Sequence, residues 1–137
     1  MRALGIDFGE KRIGLAISDP EGRMAVPLLT FERRDDPRAA RRIAAIARDE
    51  AVELLVMGQP RRLDGERGEA ADRVARFGQR LTAATGLTLE WVDEALTSRE
   101  ARSRLREAGL DPAKHPERLD SVAAQILLQE ALDRRQP

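Results

Sequence analysis

The stretch that decides the fold reads RALGIDF over residues 2–8 and, after a short turn, RIGLAIS over residues 12–18. In the first segment large apolar side chains alternate with Ala3, Gly5 and Asp7, which is the period of a strand with two different faces. A turn containing PEG at 20–22 leads to a third strand near residues 24–31. Connections this short predict an antiparallel meander of three strands.

After the meander, apolar residues recur at helical spacing and alternate with strand-sized apolar runs. We expect helices at 37–50, 69–85 (ended by Gly86), 97–109 and 117–134, strands at 52–57 and 87–92, and a polar loop at 58–68. The order β-β-β-α-β-α-β-α-α predicts an α/β fold with a mixed five-stranded sheet, three antiparallel strands and then parallel βα units, with helices on both faces. The length of 137 residues fits a single domain, residues 1–137.

Composition limits the chemistry that the chain can perform. There is no cysteine and only one histidine, His115, so thiolate sites, disulfides and clustered-histidine metal sites are excluded. No apolar run is long enough to cross a membrane, and Asp7 interrupts any signal-peptide core, so we expect a cytoplasmic protein that does not bind membranes. Chemistry must therefore rest on carboxylates, hydroxyls, amides and cations.

Three acidic positions stand out because of where they fall in the predicted elements. Asp7 ends an apolar strand on a face of small residues, where a carboxylate is costly without a cation or hydrogen bonds; the alternative is an aspartate that serves the following turn. Asp93 and Glu94 close the fifth strand and point to opposite faces, so one of them could enter a site. Asp120 shares a helical stripe with Ala123 and other apolar residues, although it could instead cap the helix.

If these acids converge, they would repel one another and raise each other's pKa values unless cations intervene. Hard oxygen ligands favour Mg²⁺ or Mn²⁺. Two such ions about 4 Å apart could activate water and stabilise the leaving oxygen of a phosphodiester. The acids therefore predict a metal-dependent nuclease.

Several landmarks together resemble the YqgF family, also called RuvX, and they span almost the whole chain in the family's order. They are GIDFGEKRIG at 5–14, GQP at 58–60, LDG at 63–65, Asp93-Glu94 with Leu96-Thr97, and Asp120 followed by Ala123, Ala124 and ILLQ at 126–129. The resemblance implies a ribonuclease H-like fold related to the Holliday-junction resolvase RuvC. It also implies a nuclease that matures the 5′ end of 16S ribosomal RNA, with Asp7, Glu94 and Asp120 as metal-binding catalytic residues.

The cations that could hold nucleic acid are mostly arginines. Lys11 and Arg12 follow Asp7, and Arg61 and Arg62 lie in the loop after the fourth strand, where their alternative role is ordinary solvation. The family usually has an arginine after the Asp-Glu pair, but this chain has Ala95. Arg99 is the candidate replacement.

The aromatic content is low, with three phenylalanines, one tryptophan and no tyrosine, so we expect backbone contacts and salt-sensitive binding rather than base stacking.

Other functions remain open at this stage. A nucleotide-binding protein of the actin-like superfamily shares the Gly-x-Asp-x-Gly turn but needs a second related domain. A non-catalytic RNA-binding assembly factor would agree with Ala95. A Holliday-junction resolvase acting on branched DNA would need two active sites, hence a homodimer.

Overall fold

The first strand that the sequence predicts lies at the centre of the sheet. The computed structural model describes residues 1–60, 68–94 and 97–136. The strands are β1 (Ala3–Phe8), β2 (Arg12–Ser18), β3 (Ala25–Glu32), β4 (Leu54–Gln59) and β5 (Thr88–Asp93). The helices are α1 (Asp36–Asp49), α2 (Glu69–Thr85), α3 (Thr97–Glu107) and α4 (Pro116–Arg135), with a 3₁₀ turn at Pro112–Lys114.

The sheet has five strands in the order β3-β2-β1-β4-β5. β1 and β2 pair antiparallel, as do β2 and β3, whereas β1 and β4, and β4 and β5, pair parallel. The predicted α/β class, meander and mixed sheet are therefore confirmed. The register sets Asp7 of β1 beside Gly14 of β2, which becomes important at the site.

One face of the sheet, which we term the α1–α2 face, carries large side chains under helices α1 and α2. Leu4, Ile6 and Phe8 of β1 belong to this cluster together with Phe77 and Leu81 of α2. The rings of Phe8 and Phe77 stack with centroids 4.2 Å apart. This cluster contains most of the large side chains that are fully buried, so this face supplies much of the hydrophobic stabilisation.

The opposite face, the α4 face, is built from smaller residues and covered by α4. Its cluster includes Ala3 and Ala16 of the sheet and Ala124 and Leu128 of the helix. A Cβ atom placed on Gly5 would lie 2.8 Å from the carbonyl oxygen of Ala124. Small residues on both sides therefore allow α4 to approach the sheet closely.

The helix limits follow local signals. Asp35 caps α1 by accepting a hydrogen bond from the Arg38 N–H at 3.1 Å, and Pro37 occupies the first turn. Gly86 ends α2 in the left-handed conformation with φ of 71°. Among the described residues, no helix combines the length and apolar character that crossing a membrane requires.

The fourth strand differs from the prediction, because it covers Leu54–Gln59 rather than 52–57. The chain leaves α1 through Ala51, which has φ of 55°, and the Val52 N–H donates to the carbonyl of Ala47 at 2.8 Å. Val52 thus completes the end of α1 before pairing with β1 begins. The expected loop consequently starts later, and its residues 61–67 lie outside the described part of the chain.

Candidate active site

The site begins with Asp7, near the end of the central strand β1 and on the α4 face. Its carboxyl group is only partly exposed and hydrogen-bonds to the side chain of Glu94. In the turn that follows, the Gly9 N–H donates to the carbonyl of Arg12 at 3.0 Å. The described contacts of Asp7 are therefore with other carboxylates rather than with the turn.

Glu94 comes directly after β5 and reaches Asp7 across the end of β4. Its N–H donates to the carbonyl of Gln59 at 3.2 Å, which continues the strand pairing by one residue. A Cβ on Gly58 would lie 2.5 Å from Glu94 Oε2, so the absence of a side chain at Gly58 leaves the space that Glu94 occupies. Asp93 is exposed. Of the two acids that the strand pattern left open, Glu94 is the one that contacts Asp7.

Asp120 approaches from α4. The helix begins at Pro116 after the cap residue His115, so Asp120 lies in the helix and does not cap it. A Cβ on Gly14 would overlap the backbone carbonyl of Asp120 and lie 2.9 Å from its Cβ. Because Gly14 pairs with Asp7 in the sheet, this close packing holds Asp120 next to Asp7. Of the two alanines expected to let the helix approach the sheet, Ala124 lies against the strands, whereas Ala123 packs with Ala101 of α3.

Arg12, at the start of β2, binds Asp120. Its Nε donates to Asp120 Oδ2 at 2.7 Å, with the side chains 35% and 19% exposed. A charge-assisted bond of this length is among the stronger polar contacts of a protein. Arg12 is thus a direct partner of one member of the group Asp7, Glu94 and Asp120, which we term the carboxylate cluster.

Burial is the main cause that raises the pKa values of all three acids. Burial, followed by the charges of Glu94 and Asp120, raises the pKa of Asp7 to about 8. Burial also raises the pKa of Glu94, with the charge of Asp93 adding to the effect. The pKa of Asp120 is raised by burial although Arg12 opposes the shift. Near neutral pH, Asp7 is therefore protonated and donates its hydrogen bond to Glu94.

The donor chemistry suits a hard divalent cation, since the cluster contains only carboxylates, and their raised pKa values indicate that positive charge is in short supply. As the side chains stand, however, no three acidic or histidine groups of the described residues converge closely enough to hold a metal ion. Asp7 and Glu94 contact each other, while Asp120 is engaged by Arg12. Release of Asp120 from Arg12 would free the third carboxylate.

The structure describes three of the five cations that were predicted to bind nucleic acid, namely Lys11, Arg12 and Arg99. Lys11 is exposed in the turn between β1 and β2, and Arg99 is exposed near the start of α3. Arg61 and Arg62, and also Ala95, lie outside the described residues. Nucleic-acid binding by these cations therefore stays a prediction.

Arg33 is a contributor that the sequence reasoning did not single out. Its guanidinium lies 4.2 Å from the ring centroid of Phe8, bonds both carboxylate oxygens of Asp36, and donates to the carbonyl of Gly9 at 3.3 Å. Its own N–H donates to the carbonyl of Lys11. Arg33 therefore stabilises the turn after Asp7 by hydrogen bonds to two of its carbonyl groups. The available signal was its position directly after β3, opposite that turn.

Gly14 and Gly58 were also missed as parts of the site. Their signal is glycine in the interior of a strand, which often marks a place where another group approaches closely. Here Asp120 approaches one glycine and Glu94 the other.

Comparison with known proteins identifies the family of the chain. A family model described as RuvX, Holliday junction resolvase, matches residues 1–134. A protein of Chloroflexus aurantiacus, provisionally named a pre-16S rRNA nuclease, is 43% identical over 132 residues, covering 96% of this chain and 86% of the relative. A protein of Anaeromyxobacter sp. with the same name is 43% identical over 137 residues, covering 100% of both chains.

Solved structures identify the fold. RuvC of Thermus thermophilus superimposes with a TM-score of 0.62 at 17% identity, covering 98% of this chain and 96% of that one. The fowlpox virus Holliday junction resolvase gives a TM-score of 0.55 at 12% identity, covering 98% and 99%. The fold is therefore ribonuclease H-like, as the resemblance implied. With a family match over almost its whole length and relatives above 40% identity, the chain belongs to the RuvX family.

Proposed function

We propose that this protein is an endonuclease that hydrolyses phosphodiester bonds during processing of the 5′ end of pre-16S ribosomal RNA. The observation that carries the proposal is the meeting of Asp7, Glu94 and Asp120, from two strand ends and a helix, at one edge of the α4 face. The provisional names of the relatives support this choice of substrate. The cytoplasmic location expected from the sequence belongs to the same proposal.

In this proposal the three carboxylates bind Mg²⁺ or Mn²⁺, with exposed Asp93 as a further candidate ligand. When bound, two such ions would activate water and stabilise the leaving oxygen of the phosphodiester. Binding of a cation there would require Asp7 to lose its proton to solvent, and the ends of β1 and β5 would hold the Asp7 and Glu94 side chains in place. Gly14 and α4 fix Asp120 beside them.

The substrate backbone would be held by cations around the carboxylates. Lys11 lies in the turn after Asp7, and Arg99 is on α3 beyond Glu94; Arg61 and Arg62 are candidates from the sequence. Because such contacts neutralise phosphates, binding should weaken strongly as the salt concentration rises.

A second candidate is resolution of branched DNA, favoured by the family model, whose description is Holliday junction resolvase. Symmetric cleavage of a junction needs two active sites, so this candidate also requires a homodimer. A non-catalytic assembly factor, compatible with Ala95, is the third outcome that an assay must distinguish.

The test is a cleavage assay with Mn²⁺, in which a pre-16S RNA fragment and a four-way DNA junction are incubated separately with the same protein. We expect RNA cleavage that falls by about a thousandfold or more in Asp7→Asn, Glu94→Gln and Asp120→Asn. Asp49→Asn, at the exposed end of α1, is the matched control and should cleave like the parent protein.

Binding of RNA without cleavage would establish the assembly factor instead. Cleavage of the junction alone, together with a dimeric mass in solution, would establish the resolvase. Cleavage that survives all three substitutions would show that a contaminating nuclease is responsible.

A further inference from the structure

The ion pair between Arg12 and Asp120 joins a cation to one member of the carboxylate cluster, while the other two members, Asp7 and Glu94, hydrogen-bond to each other. The Nε to Oδ2 distance is 2.7 Å. The backbone of Arg12 is fixed, because its carbonyl accepts a hydrogen bond from the Gly9 N–H and Arg12 pairs with Glu32 of β3. Its side chain remains about one-third exposed, so it can move without unfolding the strand.

The same contact limits what the site can bind. Asp7 and Glu94 are hydrogen-bonded to each other, and the described residues contain no group of three acids arranged for a metal ion. A cation entering the cluster would bring Asp120 a stronger partner than Arg12. The guanidinium would then lose its carboxylate partner while remaining beside the cluster.

We propose that Arg12 is an internal counter-ion that competes with the divalent cation for Asp120 and binds the substrate phosphate once the cation has displaced it. In this proposal Arg12 has two alternative partners, Asp120 and the substrate phosphate. This inference rests on the proposed function, because it assumes that the carboxylates bind a metal ion. Guanidinium suits both partners, since its planar donors match carboxylate and phosphate equally well.

The expected effect on metal binding follows from simple competition. The apparent dissociation constant equals the intrinsic constant divided by the fraction of molecules in which Asp120 is released. If Arg12 holds Asp120 in about nine molecules out of ten, removing Arg12 should tighten metal binding about tenfold. A residue that merely stabilised the fold would not produce tighter binding.

The experiment is a calorimetric titration of Mn²⁺ into the full-length protein without nucleic acid. Arg12→Gln should bind Mn²⁺ about tenfold more tightly than the parent, and Arg12→Lys, which keeps the charge but loses the planar fork, should lie between them. Arg34→Gln is the matched control, because Arg34 makes a 2.7 Å ion pair with Glu32 at an exposed position. It should bind Mn²⁺ like the parent.

A second readout tests the exchange of partners. Arg12→Gln should cleave substrate more slowly than the parent at saturating Mn²⁺, although it binds the ion more tightly. Circular dichroism establishes that each variant is folded, and if Arg12→Gln does not fold, Arg12→Lys still reports the direction of the change.

Unchanged or weaker Mn²⁺ binding by a folded Arg12 variant would overturn the inference while leaving the nuclease intact. If the parent, the Arg12 variants and Asp120→Asn all fail to bind Mn²⁺, both the inference and the metal-dependent function fail.

Discussion

The two faces of the sheet are packed by opposite means. On the α1–α2 face, large side chains such as Phe77 and Leu81 fill the space between helices and sheet. On the α4 face, Gly5 and Gly14 carry no side chain, so the backbone of α4 packs directly against the strands. The first arrangement stabilises the domain by burying apolar area, whereas the second places a helix carboxylate beside a strand carboxylate. The two faces thus differ in how closely helix and strand backbones approach, and the carboxylates lie on the face with the closer approach.

The largest expected effect on stability is on the α1–α2 face. Leu81→Ala removes a fully buried side chain and leaves a cavity, so the free energy of unfolding should fall by about 2–5 kcal/mol. Urea denaturation measures this loss, and a cleavage assay on the folded protein should show activity near that of the parent. A large loss of activity per folded molecule would mean that the two faces are not independent.

The next effect concerns the charge on the α4 face and appears without metal, in the presence of a chelator. Because the pKa of Asp7 rises from 3.8 to about 8 on folding, the folded protein keeps a proton that the unfolded chain releases. The free energy of unfolding should therefore fall as pH rises from about 4 to about 8. Asp7→Asn cannot ionise, so its stability advantage over the parent should grow as the pH rises towards 9.

Urea denaturation at several pH values measures this difference. Glu94 and Asp120 face Asp7 and also have raised pKa values, so part of the decline should remain in the variant. Asp19 is the contrasting control, because backbone N–H groups of Met24 and Arg23 lower its pKa. Its stabilising contribution is present above the ordinary aspartate pKa and is lost in acid. Equal pH profiles for the parent and Asp7→Asn would contradict the prediction.

A smaller stability effect, with a larger effect on activity, is expected from Gly14→Ala. The added methyl group overlaps the backbone of Asp120 and forces α4 outward, at a cost of about 1–3 kcal/mol. Displacement of Asp120 by a fraction of its side-chain length should lower cleavage about a hundredfold. Gly5→Ala, which meets Ala124 and Leu128 instead, should destabilise the protein similarly but reduce activity less. Equal activity losses would show that the distance to Asp120 is not decisive.

The smallest effect lies outside both faces, at the end of α2. Gly86→Ala meets no atom within 4 Å, so its cost is only that of the left-handed backbone with φ of 71°, about 1 kcal/mol. Gly68→Ala also meets nothing within 4 Å and serves as the control without positive φ. Thermal unfolding should give a lower melting temperature for Gly86→Ala than for Gly68→Ala. Similar melting temperatures would show that the left-handed backbone at Gly86 causes no strain when alanine is introduced.

Much of the fold could be predicted because its signals are local. Alternation fixed the two faces of β1, and Gly86 marked the end of α2. The position of Asp120 was also predictable, since its apolar neighbours on the helix required that stripe to face the sheet. The predicted start of β4 was wrong by two residues. Val52 is apolar and buried like a strand residue, yet its N–H hydrogen-bonds to the carbonyl of Ala47 in α1.

The rest of the site depends on contacts between distant segments, which periodicity does not encode. Strand alternation alone could not choose between Asp93 and Glu94, and the choice of Glu94 came from the family resemblance. The contact between Arg12 and Asp120 could not be inferred either, because it depends on how closely α4 packs against Gly14. Site geometry of this kind becomes visible only when the tertiary structure is known.

The packing of α4 across β1, β2, β3 and β4 also orders events during synthesis. Asp7 is translated early and Asp120 late, and the N-terminal part of a chain emerges and begins to fold first. Until α4 has left the ribosome, the small-residue surface of the sheet is uncovered and one carboxylate of the cluster is missing. The complete set of three carboxylates therefore assembles only after the C-terminal helix has been made.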